Sequence, residues 1–468
     1  MHIRRSCVAL VLSVLLGSAI AGEFPPNTQV AEQARQLLAD TITEVGPGIA
    51  ILVARGDEVI FRDARGMAQL ELGVPMNAEN SFRIGSNTKQ FAAVSILKLV
   101  EAGRLSLADP LSKFLPDYPN GARITVHELL NHTSGIRDYV AIEGYFQSAI
   151  RQDVDTARLI DVFKNQPVDF APGTDWKYSN SGYILIGAIL EKLTGKPWHE
   201  AIGELVLKPL VLTHTRYDSD QVILAGRAAG YSVDDAGHVR NAPYISMTQA
   251  GAAGGLVSNV DDLFHWMRAV HGGKVLGAES YGRFITPAPT PSGEPSDYGY
   301  GIETHKLRGL RTLEHAGRDP GFMSYILYIP DASISVVALT NTDSPPYDIS
   351  VLTYKLAASA LGKPYPKRHP IELTAAQMRG MTGVYKQGKG RRAIAVSEGK
   401  LYTKRDGGAA HVLRASSSSE LYFDEVLDYF TVTRDRSGRV VALEHFADGE
   451  APGSRLPRLD EPVPAITP

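Results

Sequence analysis

The sequence predicts a mixed protein of the α/β (α+β) class, in which helices flank an antiparallel sheet and an all-helical insertion precedes a small C-terminal antiparallel β-barrel. Three observations support this prediction. Strand-like runs lie near both ends of the first 361 residues, residues 104–275 between them have mostly helical spacing, and short alternating runs dominate after residue 374. A chain of 468 residues is also too long for one ordinary core, so we expect at least two domains.

The first segment, residues 1–21, is predicted to be a secretion signal. A basic start precedes an apolar run at residues 8–16, and a small-x-small cleavage site ends at Ala21. This run is short for a permanent membrane helix, so we expect no permanent membrane anchor. Cys7, the only cysteine in the sequence, lies within the signal, which excludes a cysteine nucleophile in the mature chain. The predicted location is periplasmic or secreted.

Residues 22–361 are predicted to form the first domain. Residues 29–45 have helical spacing, and residues 48–66 read as a hairpin around Gly56-Asp57. The later elements are predicted helices ending at residue 103 and covering 180–193, 261–270 and 348–361, and strands at 298–305, 310–315, 322–329 and 334–339. Strands at both ends predict one sheet, with the helical insertion packed beside it.

Residues 362–373 are predicted to be a linker, because their prolines disfavour both helices and sheet ladders. Residues 374–468 are predicted to form a second, all-β domain. Their short runs lie at 393–396, 400–404, 411–414, 420–424, 429–434 and 440–446. This spacing favours a small antiparallel barrel or sandwich.

Three short motifs indicate nucleophilic chemistry: Ser86 with Lys89, Tyr178 with Asn180, and His315 before a glycine. An aliphatic alcohol is a weak nucleophile at neutral pH, so a base must lie within hydrogen-bond reach. Serine and lysine three residues apart share one face of a helix. A serine in the first turn also presents its own free N–H to a developing oxyanion.

Each motif occurs more than once, so position in the chain must select the functional copy. Ser-x-x-Lys also begins at Ser95, within an apolar helix, and at Ser397, in a hairpin turn. Tyr118 begins a turn sequence, and His271 precedes glycines typical of a helix C-cap. Only Ser86 follows a glycine at a loop-to-helix junction.

With these motifs, the chain resembles the serine β-lactamase and penicillin-binding protein superfamily. Its likeness is greatest to the branch that contains class C β-lactamases, DD-carboxypeptidases, D-aminopeptidases and related esterases. The resemblance covers roughly residues 28–361. Besides the three motifs, it includes residues 82–86, 129–135, 172–173, 253–256 and 320–322. The second domain resembles the lipocalin-like modules appended to some members.

The resemblance implies acyl transfer through a covalent ester. Ser86 would attack a carbonyl group, assisted by Lys89, whose pKa burial would lower. Tyr178 would carry the proton to the leaving group and later activate water. The sequence leaves open whether lysine or tyrosine is the principal base.

The third motif implies the rest of the site. Together with the Ser86 N–H, the N–H of Arg318 would form the oxyanion hole, Gly317 would line the substrate site and Asn180 would hold the acyl-side amide. The β-lactamases usually have Lys-Thr-Gly at this motif, whereas this chain has His315, as certain DD-carboxypeptidases and peptidases do. This departure disfavours efficient β-lactamase activity. We expect His315 to lie beside the tyrosine and to titrate between about pH 5 and 8.

The predicted function is therefore a secreted serine hydrolase for D-residue peptides or amides, resembling carboxypeptidases or aminopeptidases. An esterase or weak β-lactamase is the alternative within this class, and a non-catalytic penicillin-binding or assembly protein is the alternative outside it. The expected partner is a small-molecule or peptide substrate. A formal charge of −3 without a basic stripe disfavours nucleic acid. The motifs imply no metal and no organic cofactor.

Overall fold

The structure is a computed structural model that describes residues 24–288 and 296–467. The predicted signal at residues 1–21 lies outside these ranges. Within them, no helix combines the length and the apolar character that a membrane crossing requires.

The described part of the chain contains helices that lie mostly between two groups of strands. The helices are α1 (Asn27–Thr41), α2 (Thr88–Glu101), α3 (Val126–Leu130), α4 (Tyr145–Ser148), α5 (Thr156–Phe163), α6 (Asn180–Thr194), α7 (Trp198–Ile202), α8 (Met247–Gly254), α9 (Val260–His271), α10 (Ala278–Ile285), α11 (Ile349–Ala360) and α12 (Ala375–Met381).

The strands of the first domain are β1 (Ile49–Arg55), β2 (Glu58–Arg65), β3 (Met67–Gln69), β4 (Val74–Pro75), β5 (Phe82–Arg83), β6 (Arg216–Tyr217), β7 (Tyr231–Val233), β8 (Val239–Asn241), β9 (Leu256–Ser258), β10 (Glu303–Leu307), β11 (Leu310–Asp319), β12 (Phe322–Ile329) and β13 (Ile334–Thr340). The later strands are β14 (Gly383–Gln387), β15 (Gly390–Ser397), β16 (Lys400–Arg405), β17 (Ala410–Ser417), β18 (Glu420–Tyr422), β19 (Tyr429–Arg434), β20 (Val440–Phe446) and β21 (Ser454–Leu459).

The main sheet joins strands from distant parts of the chain, as predicted. Its six strands lie in the order β10-β11-β12-β13-β1-β2, and β1 pairs antiparallel with β13 from Ile49 opposite Thr340 onwards. Side chains of β1 alternate between two apolar cores. Leu52 faces the core shared with the helical insertion, whereas Ile51 and Val53 face the core formed with α1 and α11.

Helix α2 lies at the centre of the larger core, and most of its side chains are buried. A helix that is buried on nearly all sides needs apolar residues around its circumference, as Phe91, Val94 and Leu97 provide here. The helix contacts α6 and α8. This packing places the N-terminal end of α2, with the Ser86 motif, between the sheet and the helical insertion.

The C-terminal strands β14 to β21 form a closed antiparallel barrel, which confirms the predicted fold class. The barrel has a hydrophobic core of its own, separate from the two cores of the first domain. Its interior is filled with side chains that include Tyr385, Leu413, Phe430 and Leu443. The boundaries of the linker at 362–373 and of the domain at 374–468 remain predictions.

Several element bounds differ from the sequence-based prediction. The strand predicted at 298–305 begins only at Glu303, because Gly301 has φ +74° and lies against the backbone of Lys89. Strand β11 extends beyond His315 to Asp319. Strand β21 was not predicted, since Pro457 interrupts its alternating pattern.

Candidate active site

Ser86 lies in a 3₁₀ turn, Gly85–Asn87, which leads directly into α2. The turn is tied to β12 through side chains. The amide of Asn87 donates to Ser324 Oγ at 2.8 Å, and Ser324 Oγ donates to the carbonyl oxygen of Ile84 at 2.8 Å. The serine is therefore held at a fixed position against the sheet.

Strand β11 approaches this turn so closely that two positions exclude a side chain. A Cβ atom at Gly85, where φ is +49°, would lie 2.5 Å from the backbone nitrogen of Arg318. A Cβ atom at Gly317 would lie 2.0 Å from the carbonyl oxygen of Ile84. The two glycines thus allow the Arg318 backbone to lie beside Ser86.

Lys89 is fully buried and donates three hydrogen bonds. Its Nζ lies 3.0 Å from Ser86 Oγ, 2.8 Å from Asn180 Oδ1 and 2.9 Å from the carbonyl oxygen of Ala253. Burial lowers the pKa of Lys89 to about 7, although Asp138 and other negative charge nearby act in the opposite direction. A lysine with this pKa is partly neutral near neutral pH and can accept a proton from the serine.

Asp138 fixes the orientation of the Asn180 amide. The Nδ2 atom of Asn180 donates to Asp138 Oδ2 at 3.1 Å, which leaves Oδ1 facing Lys89. The backbone N–H of Asn180 also donates to Asp138 Oδ1, at 3.2 Å. Asp138 lies outside the three motifs, and the sequence analysis did not identify it.

Tyr178 lies over the lysine, with its ring centroid 4.8 Å from Lys89 Nζ. Burial raises the pKa of Tyr178 above its usual value, while hydrogen bonding to Ser86 and to Tyr298 acts against this rise. The tyrosine therefore stays protonated at neutral pH. His132 contacts the Tyr178 motif. Its Nδ1 accepts a hydrogen bond from Ser179 N–H at 3.2 Å, and its ring centroid lies 4.3 Å from that of Tyr178.

His315 reaches the site through Tyr298, a residue that the sequence analysis did not identify. The carbonyl of Ala316 lies 2.5 Å from His315 Nδ1 and can only accept, so Nδ1 carries the proton. The other nitrogen, Nε2, then accepts from the Tyr298 hydroxyl at 2.8 Å. The ring of Tyr298 in turn packs edge-on against Tyr178.

The expected titration of His315 between pH 5 and 8 is wrong. The side chain is buried, and burial lowers its pKa to about 4, with the charge of Lys89 acting in the same direction. His315 is thus neutral near pH 7.

Ser86 opens onto a cavity of about 530 Å³. Its lining combines apolar and polar residues. The apolar residues are Tyr139, Val140, Phe146, Pro243, Ile245 and Ala250, and the polar residues include Asn180, Arg240, Arg318, Asp319 and Asp343. All of the lining residues belong to the first domain.

The duplicate motifs lie away from this cavity. Ser95 is buried within α2 and donates to the carbonyl oxygen of Phe91, and Ser397 ends strand β15 in the barrel. A larger cavity of about 950 Å³, bordered by His199 and Tyr217, contains none of the motif residues. Among the residues that the structure describes, no group of three or more His, Cys, Asp or Glu side chains is arranged to hold a metal ion.

Comparison with known proteins agrees with the resemblance found in the sequence. The β-lactamase family model matches residues 34–360. A D-aminopeptidase from Gluconobacter oxydans is 28% identical over 438 residues, which cover 89% of this chain and 77% of that protein.

Solved structures extend the similarity. A D-stereospecific amidohydrolase from Streptomyces sp. is 27% identical with a TM-score of 0.59, over 67% of this chain and 94% of that one. An octameric penicillin-binding protein homologue from Pyrococcus abyssi is 26% identical with a TM-score of 0.64, over 91% of this chain and 98% of that one.

Proposed function

The chain belongs to the β-lactamase family, and we propose that it is a serine hydrolase that cleaves amide bonds of D-residue peptides or amides through an acyl-enzyme on Ser86. The observation that carries this proposal is the 3.0 Å contact between Ser86 Oγ and the Nζ atom of the fully buried Lys89. A lysine whose pKa is lowered to about 7 meets the need of a serine nucleophile for an adjacent base.

Acylation begins with the neutral form of Lys89. The amine accepts the Ser86 proton as Oγ attacks the substrate carbonyl carbon. The backbone N–H groups of Ser86 and Arg318 stabilise the oxyanion, and the close approach at Gly85 supports this pairing. The raised pKa of Tyr178 favours Lys89 as the base and the tyrosine as the proton donor to the leaving group.

Collapse of the tetrahedral intermediate then breaks the amide bond. The leaving amine takes a proton by way of Tyr178, and the acyl group stays on Ser86 as an ester. Water, deprotonated by the same Lys89 and Tyr178 pair, attacks this ester and regenerates the serine. Asn180 holds the acyl side of the substrate while it orients the lysine.

Two relatives support amide substrates with D-residues: the D-aminopeptidase, 28% identical over most of this chain, and the D-stereospecific amidohydrolase, 27% identical. The apolar residues that line the Ser86 cavity suit a hydrocarbon side chain on the acyl residue. Secretion to the periplasm or medium stays part of the proposal, as does the predicted signal at residues 1–21.

The first test is covalent labelling by a fluorophosphonate, followed by peptide mapping, together with hydrolysis of D- and L-alanine p-nitroanilides. We expect the label on Ser86 and faster turnover of the D-isomer. Ser86→Ala should abolish both labelling and hydrolysis, because Ser86 alone forms the ester. Ser95→Ala is the matched control, since Ser95 begins another Ser-x-x-Lys sequence on the same helix yet bonds only the carbonyl of Phe91.

Labelling that persists in Ser86→Ala would contradict the assignment of the nucleophile. A Ser86 that is labelled but hydrolyses only p-nitrophenyl esters or a chromogenic cephalosporin would retain the mechanism and contradict the D-amide substrate class.

A further inference from the structure

Asp319 is a buried carboxyl group on the wall of the Ser86 cavity. Asp319 is 8% exposed and lines the same cavity as Ser86. Its Oδ2 atom has no hydrogen-bond partner among the described residues. A buried acceptor without a donor is unfavourable, and a ligand group that donates a hydrogen bond to this oxygen would remove that cost.

Two cations whose charge acts on Asp319, Arg83 and Lys89, form their hydrogen bonds with other residues. Arg83 donates its Nε to Asp218 at 2.6 Å. Lys89 donates to Ser86, Asn180 and the carbonyl of Ala253. Both cations lower the pKa of Asp319, as does a hydrogen bond from the Gly85 backbone N–H, but burial dominates and raises it to about 7. The carboxyl group therefore lacks the cation that would hold it fully ionised.

Asp343, the other acidic residue in the cavity wall, differs in this respect. Its Oδ2 accepts hydrogen bonds from Gly321 N–H and from Ser232 Oγ, both at 2.7 Å, and its Oδ1 accepts from Ser344 Oγ at 2.8 Å. Its oxygens are thus satisfied by the protein itself. Of these two carboxyl groups, only that of Asp319 has an oxygen, Oδ2, without a partner among the described residues.

Asp319 lies close to the expected substrate site. It follows Arg318, whose backbone N–H is the expected oxyanion donor, and a Cβ atom at Gly254, another residue of the cavity lining, would lie 3.6 Å from Asp319 Oδ1. In an amino acid the α-nitrogen lies about 2.5 Å from the carbonyl carbon. We propose that Asp319 binds the free α-ammonium group of the substrate residue whose carbonyl carbon Ser86 attacks. The enzyme would therefore act on an unmodified amino-terminal residue.

Charge balance favours this assignment. Lys89 must be neutral to act as a base, and the carboxyl groups of Asp138 and Asp319 then lose the positive charge that acts on both. The substrate ammonium replaces this charge. A cationic substrate would thereby compensate the loss of the proton from the lysine, whereas an acetylated amine would not.

This inference rests on the proposed function, and the experiment separates the two. Hydrolysis of D-alanine p-nitroanilide is compared with that of its N-acetyl derivative at pH 8. Wild type should prefer the free amine by at least tenfold in kcat/KM. Asp319→Asn, which keeps the shape and removes the charge, should lose most of this preference while the rate for the acetylated substrate changes far less.

Asp343→Asn is the charge-matched control in the same cavity, and any loss of rate there should be equal for both substrates. Equal rates for the two substrates in wild type would overturn the proposal. A preference for the free amine that survives in Asp319→Asn would overturn it as well.

A second measurement does not depend on amide hydrolysis. The rate of fluorophosphonate labelling at Ser86 is measured with D-alaninamide or N-acetyl-D-alaninamide as protecting ligand. Stronger protection by the cationic amide in wild type, lost in Asp319→Asn, supports ammonium binding even if neither p-nitroanilide is cleaved, a result that would contradict only the proposed function. Equal protection by the two amides overturns ammonium binding.

Discussion

The surroundings of Ser86 and the interior of the C-terminal barrel are both buried, but they differ in how their polar atoms are satisfied. Around the serine, buried polar atoms without a hydrogen-bond partner among the described residues include Asn87 Oδ1, His132 Nε2, Ser179 Oγ and Asp319 Oδ2. Within the described residues of the barrel, 374–467, no buried side-chain nitrogen or oxygen atom lacks a hydrogen-bond partner. Even the buried Arg392 donates to Gln387 and Thr403.

The difference shows what each region does for the molecule. The barrel interior is an apolar core that stabilises a fold. The Ser86 region holds ionisable groups at a free-energy cost, and this cost shifts their pKa values towards those that acyl transfer needs. Changes near the serine should therefore act on activity far more than on stability.

The largest expected effect is that of Lys89→Met. Loss of the base should lower kcat/KM by about 10³-fold, within the range typical of general base catalysis. The free energy of unfolding should change little, because the variant loses three hydrogen bonds but no longer buries an ammonium group. Both quantities are measured, the first with a neutral p-nitrophenyl ester and the second by urea denaturation.

Lys98→Met is the control for this experiment, since Lys98 is the lysine of the duplicate motif on the same helix. It should retain activity within about twofold, because Lys98 is only partly buried, lies near the C-terminal end of α2 and does not line the Ser86 cavity. A Lys89→Met enzyme that keeps near-wild-type activity would show that another group removes the serine proton.

The substitution His315→Asn is expected to have a smaller effect on the rate, and the pH profile of kcat/KM is measured for it and for wild type. Since Lys89 has its pKa lowered to about 7 and is active when neutral, kcat/KM for a neutral ester should rise as the pH increases through about 7. His315, with a pKa of about 4, is neutral over this whole range. The substitution should cost up to about tenfold in rate through the lost bond to Tyr298, and the rise near pH 7 should remain.

A profile whose rising limb moves by more than one pH unit, or disappears, in His315→Asn would contradict this assignment. It would indicate that the histidine, and not the lysine, titrates in the working range.

Sequence analysis predicted the elements whose patterns are local. The hairpin of β1 and β2, the helix that begins at Asn180 and the barrel strand Tyr429–Arg434 follow from residues that are neighbours in the chain. The motif residues could be selected because Ser86 lies at a loop-to-helix junction, whereas Ser95 does not.

The remaining parts of the site depend on contacts between distant segments. Asp138 gains its role from Asn180, and Tyr298 gains its role from His315, although neither lies in a motif. Asp319 enters the cavity wall because β11 continues past the third motif and lies against Gly85. No periodicity in the sequence carries this information, since it arises from the approach of strand β11 to the Ser86 turn. The predicted pKa range of His315 was wrong for a similar reason, because the burial of the side chain cannot be inferred from the motif.

The smallest effect on activity is expected when the C-terminal barrel is removed. Truncation after Leu361 should leave a soluble chain that a fluorophosphonate labels on Ser86 at a rate within about twofold of the full-length protein, because the lining of the Ser86 cavity and both cores of the first domain precede this point almost entirely. The contacts that the truncation removes include a group at the turn after β10. There the backbone N–H of Arg308 donates to Glu450 Oε1 at 2.9 Å, and its guanidinium group stacks on the ring of Tyr365. Their loss should lower the thermal unfolding midpoint modestly without reaching the serine. An insoluble or unlabelled truncated chain would instead mean that the hydrolase domain needs the barrel in order to fold.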